Sequence, residues 1–209
     1  MKMNRPNELI LVLGIDGSGK STMLTKLQSQ LGYRVMEATS TPEAKQFKQK
    51  HAGRPIDTDF VLRRRQLFHD INSKLECTIS PQLEESSVAT SGLRLVTDVS
   101  HNAMLRIVGG ERLSTEQVVT DWAESGTVKP DKVILLHAPL NVIRNRIAER
   151  QKAGITGEEM TGFNSPFFLG QYQDALYEAV DALSGHTPGL KIDTSLHTAA
   201  ELVDLYRTI

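Results

Sequence analysis

The sequence contains a single cysteine, Cys77, and few aromatic residues, which make up 5% of the chain. One cysteine excludes an internal disulfide and suits a reducing compartment. Long apolar runs are also lacking, because no stretch approaches the length of a membrane span and the first residues carry no apolar core of a secretion signal. We therefore expect a cytoplasmic protein with no membrane partner.

The sequence also lacks an excess of basic or acidic residues. The chain has 24 lysines and arginines against 25 aspartates and glutamates, which gives a net charge of -1. Proteins that bind nucleic acid carry a basic surface, and this composition offers no such excess. We expect a small-molecule partner and no nucleic-acid partner. With 209 residues the chain suffices for one sizeable core, so residues 1–209 are predicted to form a single domain.

Apolar runs alternate along the chain with longer amphipathic segments. This alternation is typical of a parallel sheet covered by helices on both faces. The sequence therefore predicts a three-layer α/β/α fold with a five-stranded parallel sheet. The predicted strands are Glu8–Leu13, Tyr33–Glu37, Leu93–Thr97, Lys132–His137 and Leu190–Ile192.

Local signals place helices between these strands. Asp57 and the two residues after it predict the start of a long helix that Pro81 interrupts or ends. Between the last two predicted helices, residues 153–164 contain three glycines and show no periodicity. This segment predicts a mobile lid near residues 151–165, with a passive surface loop as the alternative. Further helix starts are predicted at Ser114, with Gln117 as its capping partner, at Pro139 and at Pro166.

The most informative segment spans residues 14–21 and reads Gly-Ile-Asp-Gly-Ser-Gly-Lys-Ser, directly after an apolar run. Its glycines allow main-chain N–H groups to turn around phosphates, and a helix beginning behind them adds the positive end of its dipole. Lys20 is predicted to reach the β- and γ-phosphates, and the Ser21 hydroxyl to bind Mg²⁺. The guanine-specific pattern Asn-Lys-x-Asp is absent, so ATP is the expected nucleotide. The predicted ATP-binding residues of this phosphate loop are Gly14, Asp16, Gly17, Ser18, Gly19, Lys20, Ser21 and Thr22.

Around the phosphate loop the chain resembles the thymidylate kinases. In that family an acidic and a small residue precede Gly-Lys-Ser-Thr, as they do in residues 16–22. Glu37 lies where the family has an Arg-Glu-Pro turn, Phe68 where it has a Leu-Phe pair, and Asp98 where its Asp-Arg-Tyr motif follows the third strand. A Pro-Asp turn at residues 130–131 and Tyr172 extend the likeness over most of the chain.

The resemblance implies transfer of the γ-phosphoryl group of Mg-ATP to a (deoxy)nucleoside monophosphate or a close mimic. It implies catalytic roles for Lys20, Asp98 and Arg150, with Arg150 also binding ATP near the adenine. Asp98 would share the metal with Ser21, and helices beside the sheet would form a homodimer. The predicted acceptor-binding residues are Asp16, Glu37, Arg64, Phe68, Asn72, Asp98 and Arg106.

Three of these assignments have structural alternatives. Asp98 suits a helix cap, and Phe68 suits a core position because aromatic residues at helical spacing usually pack. Arg150 suits a solvated helix face, as do Arg144 and Arg146 on the same helix.

The sequence departs from the family on the acceptor side. Val99 stands where an arginine of the family grips the acceptor phosphate, and Asn72 stands where a second arginine does. Residues 153–164 hold no basic residue, although relatives often supply a catalytic arginine there. A transition-state arginine contributes roughly 10³ to 10⁵ in rate, so its loss requires a substitute or a different acceptor. Candidate substitutes are Arg63, Arg64, Arg65 and Arg106.

Two alternative functions follow from these departures. One is a kinase for an unphosphorylated nucleoside or another small hydroxyl compound, which needs no phosphate-gripping arginine. The other is a catalytically weak ATP-binding regulatory protein, which keeps the triphosphate site and lacks efficient transfer.

Overall fold

A five-stranded parallel sheet forms the centre of the protein, with the strand order β2-β3-β1-β4-β5. The computed structural model describes residues 7–38, 41–51, 56–110, 113–125, 127–153 and 166–207, and at positions 48, 166, 199 and 200 it describes the backbone alone. The strands are β1 (Leu9–Leu13), β2 (Arg34–Met36), β3 (Val88–Thr90), β4 (Lys132–His137) and β5 (Gly189–Asp193). The predicted parallel α/β/α fold is confirmed.

Helices cover both faces of the sheet, as parallel strands require. Leu9, Leu11 and Leu13 pack on one face against residues of α3, α4 and α7, while Ile10 and Val12 pack on the other against α1 and α8. β1 is buried along its whole length because it pairs with both β3 and β4. The helices are α1 (Lys20–Leu31), α2 (Pro42–His51), α3 (Thr58–Glu85), α4 (Arg94–Val108), α5 (Thr115–Glu124), α6 (Leu140–Lys152), α7 (Pro166–Leu183) and α8 (Ala199–Arg207).

The predicted helix starts are confirmed within one residue. The Asp57 side chain caps α3 by accepting a hydrogen bond from the Phe60 N–H at 2.7 Å. Ser114 caps α5 by accepting one from the Gln117 N–H at 3.0 Å. Pro166 is the first residue of α7, whereas Pro139 directly precedes α6. Pro81 does not end α3, which continues to Glu85.

The predicted strand Leu93–Thr97 is wrong. The third strand is Val88–Thr90, and residues 94–108 form α4. α4 packs between α3 and α7 and buries Leu95, Thr97 and Val99, which alternate along the chain as the inward residues of a strand do. Periodicity alone does not distinguish such a buried helix segment from a buried strand.

Among the described helices, none is both long and apolar enough to cross a membrane.

A polar network fastens the carboxyl-terminal helix α8 to the sheet. The Glu8 carboxylate accepts hydrogen bonds from the hydroxyls of Tyr33 and Tyr206, the latter at 2.6 Å. The two hydroxyls lie 2.7 Å apart, and the Lys132 ammonium lies 3.4 Å from the same carboxylate. Partial burial raises the pKa of Glu8, but the hydrogen bonds from Tyr206 and Tyr33 and the charge of Lys132 outweigh it, so the pKa lies below its ordinary value.

A carboxylate with a lowered folded-state pKa stabilises the protein above its unfolded pKa, and this contribution is lost as the pH falls through the folded value. We therefore expect the free energy of unfolding to drop between pH 6 and acidic pH, and Glu8→Gln to remove part of that drop. Tyr206→Phe should lower the free energy of unfolding at neutral pH by about 1.5–3 kcal/mol, since it deletes a hydrogen bond to a charged group. Urea midpoints measured across pH check this. An acid sensitivity identical in wild type and Glu8→Gln contradicts it.

Candidate active site

A cleft of about 1220 Å³ opens at the carboxyl ends of the strands, where ligands bind in open parallel sheets. The phosphate loop after β1 forms its floor. α3 and α4 line one end, and α6 with the turn after β5 lines the other. A single cavity therefore joins the predicted donor side to the predicted acceptor side.

Glycine conformations shape the phosphate loop. Gly14, Gly17 and Gly19 have φ angles of 150°, 80° and 102°, in the region that favours glycine. A Cβ atom at Gly14 would lie 2.3 Å from the Ser18 Oγ and 2.6 Å from the Leu136 carbonyl oxygen, so only hydrogen fits. Gly19 is the residue directly before α1, which points its amino terminus at the loop. The arrangement is that of an anion-binding cradle.

The Lys20 side chain folds back onto the phosphate loop, and its contact with phosphates stays a prediction. Its ammonium donates to the carbonyl oxygens of Gly14 at 2.8 Å and Ile15 at 3.0 Å, and it lies 3.8 Å from the Asp16 carboxylate. These contacts hold the positive charge of Lys20 beside residues 14–16 of the phosphate loop. Ser21 and Thr22 follow in the first turn of α1, and both line the cleft.

The residues beside the loop fit Mg²⁺ held jointly with phosphates. Within the part of the chain that the structure describes, no three histidine, cysteine or carboxylate side chains are grouped to hold a metal ion. Mg²⁺ in nucleotide sites needs few protein ligands, since phosphate oxygens and water complete its shell. The Ser21 hydroxyl at the start of α1 suits that role, and Asp16 is the nearby carboxylate of the loop.

Asp98 lies elsewhere. Because residues 94–108 are helical, Asp98 is on α4 and its carboxylate is 3.2 Å from the Arg65 guanidinium. Together they line a separate groove with His69 and His101. The expected position of Asp98, at the end of a strand beside the phosphate loop, is therefore wrong. The structure does not bring it to Ser21 as a second metal ligand.

Arg106 also points away from the cleft. Its guanidinium pairs with the Glu178 carboxylate at 3.1 Å and donates to the Thr115 Oγ at 3.2 Å, which ties α4 to α7 and α5. Its predicted contact with an acceptor is not supported by this position. Val99, which stands where the thymidylate kinases have an arginine, is only 2% exposed and lies in the core.

The residues that do follow β3 were missed by the sequence reasoning. β3 ends at Thr90, and Ser91 and Gly92 continue into the cleft. The Thr90 hydroxyl donates to the Met36 carbonyl at 2.6 Å and accepts from the Gly92 N–H at 3.1 Å, which joins the ends of β2 and β3. The glycine after a short apolar run was the available signal. Like Val99, these residues carry no charge.

Aromatic side chains form the end of the cleft beside α3, which is the predicted acceptor side. Phe68 is 6% exposed, packs edge-on against Phe47 and carries the Arg64 guanidinium 4.8 Å from its ring centre. Phe60 packs against Phe47 as well. Phe68 therefore packs in a hydrophobic cluster, as the alternative assignment expected. Stacking of a base on its ring stays a prediction.

Arg64 brings a positive charge between the aromatic end and the phosphate loop. It donates to the Ser100 Oγ at 2.9 Å, and Tyr172 lines the same part of the cleft. Burial lowers the pKa of Arg64, while Tyr172 and Asp16 oppose this, and arginine remains charged in any case. Burial raises the pKa of Tyr172, which keeps its hydroxyl protonated near neutral pH.

Asn72 is buried, and its side chain has a structural role. Its amide nitrogen donates to the Leu93 carbonyl at 3.0 Å and to the Thr97 Oγ at 2.7 Å, so it fixes the start of α4 against α3. Glu37, which follows β2, is half-buried and lines the cleft, and its contact with an acceptor stays a prediction.

The opposite end of the cleft, beside α6, is the predicted donor side and is lined by Arg146, Arg150, Thr194 and His197. Arg150 is exposed on the last turn of α6, whereas Arg146 is hydrogen-bonded to the phosphate loop and to Thr194. The sequence reasoning named neither Thr194 nor His197. Of the predicted lid, residues 151–153 end α6 and residues 154–165 lie outside the described residues.

No protein-family model and no curated protein match the chain. Solved structures do match it. Deoxyadenosine kinase from M. mycoides with bound dATP aligns with a TM-score of 0.69 at 14% identity, covering 96% of this chain and 97% of that chain. Thymidylate kinase from Candida albicans aligns with 0.65 at 18% identity, covering 97% and 92%. An unliganded sugar kinase from Janibacter sp. HTCC2649 aligns with 0.52 at 21% identity, covering 97% and 94%. The chain therefore has the fold of P-loop nucleoside and nucleotide kinases, as its resemblance to the thymidylate kinases predicted.

The close packing at Gly14 predicts a stability effect. Gly14→Ala must displace the Ser18 hydroxyl or the Leu136 carbonyl, so it should lower the free energy of unfolding by about 1–3 kcal/mol. Gly185→Ala is the matched control, because a Cβ there meets nothing within 4 Å and the change should stay within about 0.5 kcal/mol. Urea unfolding of both variants checks this, and equal midpoints contradict the described loop geometry.

Proposed function

We propose that this protein is an ATP-dependent phosphotransferase that acts on a nucleoside or nucleotide. The observation that best supports this proposal is that one cleft contains both the phosphate loop and an aromatic end. At the aromatic end, the partly buried Arg64 lies over the Phe68 ring. The fold it shares with a deoxyadenosine kinase and a thymidylate kinase supports the same assignment.

The donor would lie with its phosphates on the loop. Main-chain N–H groups of residues 17–22 would bind the phosphate oxygens, and Lys20 would move from the Gly14 and Ile15 carbonyls to the β- and γ-phosphates. Bound Mg²⁺ would neutralise charge on the phosphate oxygens, with Ser21 as its protein ligand. Arg150 would lie near the adenine, and the predicted lid near residues 151–165 would cover the nucleotide.

The transfer itself requires position and charge more than covalent chemistry. An acceptor oxygen forms a bond to the γ-phosphorus while the bond from that phosphorus to the β–γ bridging oxygen breaks, and ADP leaves. Arg64 stands between the loop and the aromatic end, so it would stabilise charge on the transferred group. It is our candidate for the cation that the family supplies elsewhere. Asp16 and Glu37 line the cleft, and we propose that their carboxylates bind the acceptor.

The acceptor of the leading proposal is a (deoxy)nucleoside monophosphate or a close mimic. A specific observation favours the second candidate, an unphosphorylated nucleoside or another small hydroxyl compound. Ser91 and Gly92 after β3 are uncharged, and the Asn72 amide is hydrogen-bonded to Leu93 and Thr97. An acceptor hydroxyl gives up its proton during transfer, and Glu37 is a carboxylate lining the cleft that would take it as general base.

A homodimer through helices beside the sheet and a cytoplasmic location remain proposals that rest on the resemblance and the composition.

An acceptor panel tests the function. The purified protein is incubated with ATP, Mg²⁺ and matched nucleosides and nucleoside monophosphates, and ADP release is followed. Turnover with monophosphates alone supports the leading proposal, and turnover with nucleosides alone supports the second. Tight ATP binding with no acceptor-stimulated turnover contradicts both and favours a regulatory protein.

Lys20→Ala should lower turnover by roughly 10² or more, because one positioned charge stabilises the transferred group in a water-excluded site. Its thermal midpoint should stay near that of wild type, since Lys20 is partly exposed and the carbonyls it leaves can reach water. Steady-state kinetics and thermal unfolding check both parts. Wild-type turnover in this variant removes the proposed role.

Arg64→Ala should lower kcat or raise the acceptor KM, with a combined loss in kcat/KM of about 10² or more. Arg63→Ala is the matched control, because Arg63 is exposed on the same helix and pairs with Asp59. We expect the control to keep wild-type kinetics. Equal kinetic constants in both variants dismiss Arg64 as the substitute cation.

A further inference from the structure

The outer side of the phosphate loop is attached to two other elements by one side chain. Arg146 of α6 donates from Nη1 to the Gly17 carbonyl at 3.3 Å and to the Thr194 Oγ at 2.8 Å. Its Nη2 donates to the Thr194 carbonyl at 2.8 Å. We call this set of contacts the Arg146 bridge.

Thr194 gives the bridge a fixed anchor. It is 5% exposed, and both its N–H and its hydroxyl donate to the His137 carbonyl, at 2.8 and 3.1 Å. His137 is the last residue of β4 and pairs in register with the last residue of β5. The Arg146 guanidinium is thus held against the ends of two strands, and the Gly17 carbonyl is held against the guanidinium.

Gly17 is the part of the loop that most needs such a contact. Its φ angle of 80° and its lack of a side chain make rotation of its peptide groups inexpensive. A rotation of the peptide after Gly17 would turn a carbonyl oxygen toward the phosphate site, where it would repel the anion. A hydrogen bond from a cation to that oxygen opposes the rotation. A Cβ atom at Gly17 would lie 3.1 Å from the Ile143 carbonyl oxygen and 3.2 Å from the Ile147 side chain, so α6 also limits this side of the loop by shape.

We propose that Arg146 is a positioning residue for nucleotide binding, acting through the Gly17 carbonyl and Thr194 and not by contact with the base or the transferred phosphoryl group. The inference rests on the proposed function, because it assumes that the loop binds polyphosphate. Arg146 and Arg150 lie on the same helix but would act differently. Arg146 would position the loop, whereas Arg150 would lie near the adenine.

Two ligands separate positioning from base contact. ATP carries a base and a polyphosphate, whereas inorganic tripolyphosphate carries the polyphosphate alone. Titration calorimetry with Mg²⁺ compares both probes on wild type, Arg146→Ala, Arg146→Lys, Thr194→Val and the control Arg144→Ala, whose side chain is exposed on α6. We expect Arg146→Ala to weaken both probes by the same factor, roughly tenfold, which matches one charged hydrogen bond. Arg146→Lys and Thr194→Val should lose less, and Arg144→Ala nothing.

The opposite patterns overturn the proposal. A loss for ATP with unchanged tripolyphosphate affinity means that Arg146 contacts the base or ribose. Unchanged affinity for both probes means that the bridge does not position the loop. If Arg146→Ala fails to fold, Arg146→Lys and Thr194→Val decide the same comparison.

Hydrogen exchange on the ligand-free protein tests the bridge without any nucleotide. Amides of residues 16–19 should exchange faster in Arg146→Ala and Thr194→Val than in wild type and Arg144→Ala, because the loop has lost its anchor. Equal exchange in all four proteins overturns the proposal. Failure of wild type to bind either probe would contradict the proposed function, while exchange would still decide whether the bridge holds the loop.

Discussion

The structure depends on the placement of one stretch of main chain, the phosphate loop that follows β1. β1 is the middle strand, buried on both faces between β3 and β4, so the core fixes the point at which the loop begins. α1 starts directly behind Gly19 and adds its dipole to the inward N–H groups. The steric limit at Gly14 then leaves little freedom for the backbone. An anion site built this way needs the fold, because no local segment could hold it alone.

The rest of the cleft follows from which elements surround that loop. α6 and the turn after β5 hold its outer side through Arg146 and Thr194, and they also line the donor end. α3 and α4 form the proposed acceptor end, where Asn72 joins the two helices and Arg64 donates to Ser100 of α4. The charges divide accordingly, with cations beside the loop and uncharged residues after β3. This division supports phosphoryl transfer and bears on which acceptor fits.

Sequence reasoning predicted those parts of the protein that local chemistry determines. Strand β4 was predicted with its observed bounds, and the caps at Asp57 and Ser114 came from side chains acting within one turn. The strand expected at residues 93–97 was wrong because residues 94–108 form the buried helix α4. The wrong strand also gave a wrong expected position for Asp98, which lies on α4 in a separate groove. Contacts such as Arg106 with Glu178, or Arg146 with Gly17, join residues far apart in the chain, and one sequence gives no signal for them.

The central claim is that the loop at residues 14–21 binds nucleoside triphosphate. Isothermal titration of the folded wild-type protein with ATP and Mg²⁺ measures it directly, before any acceptor is known. The account predicts saturable binding at one site per chain, with Lys20→Ala weakening it. Absence of binding to ATP and GTP, on protein whose unfolding transition shows it to be folded, would contradict the account.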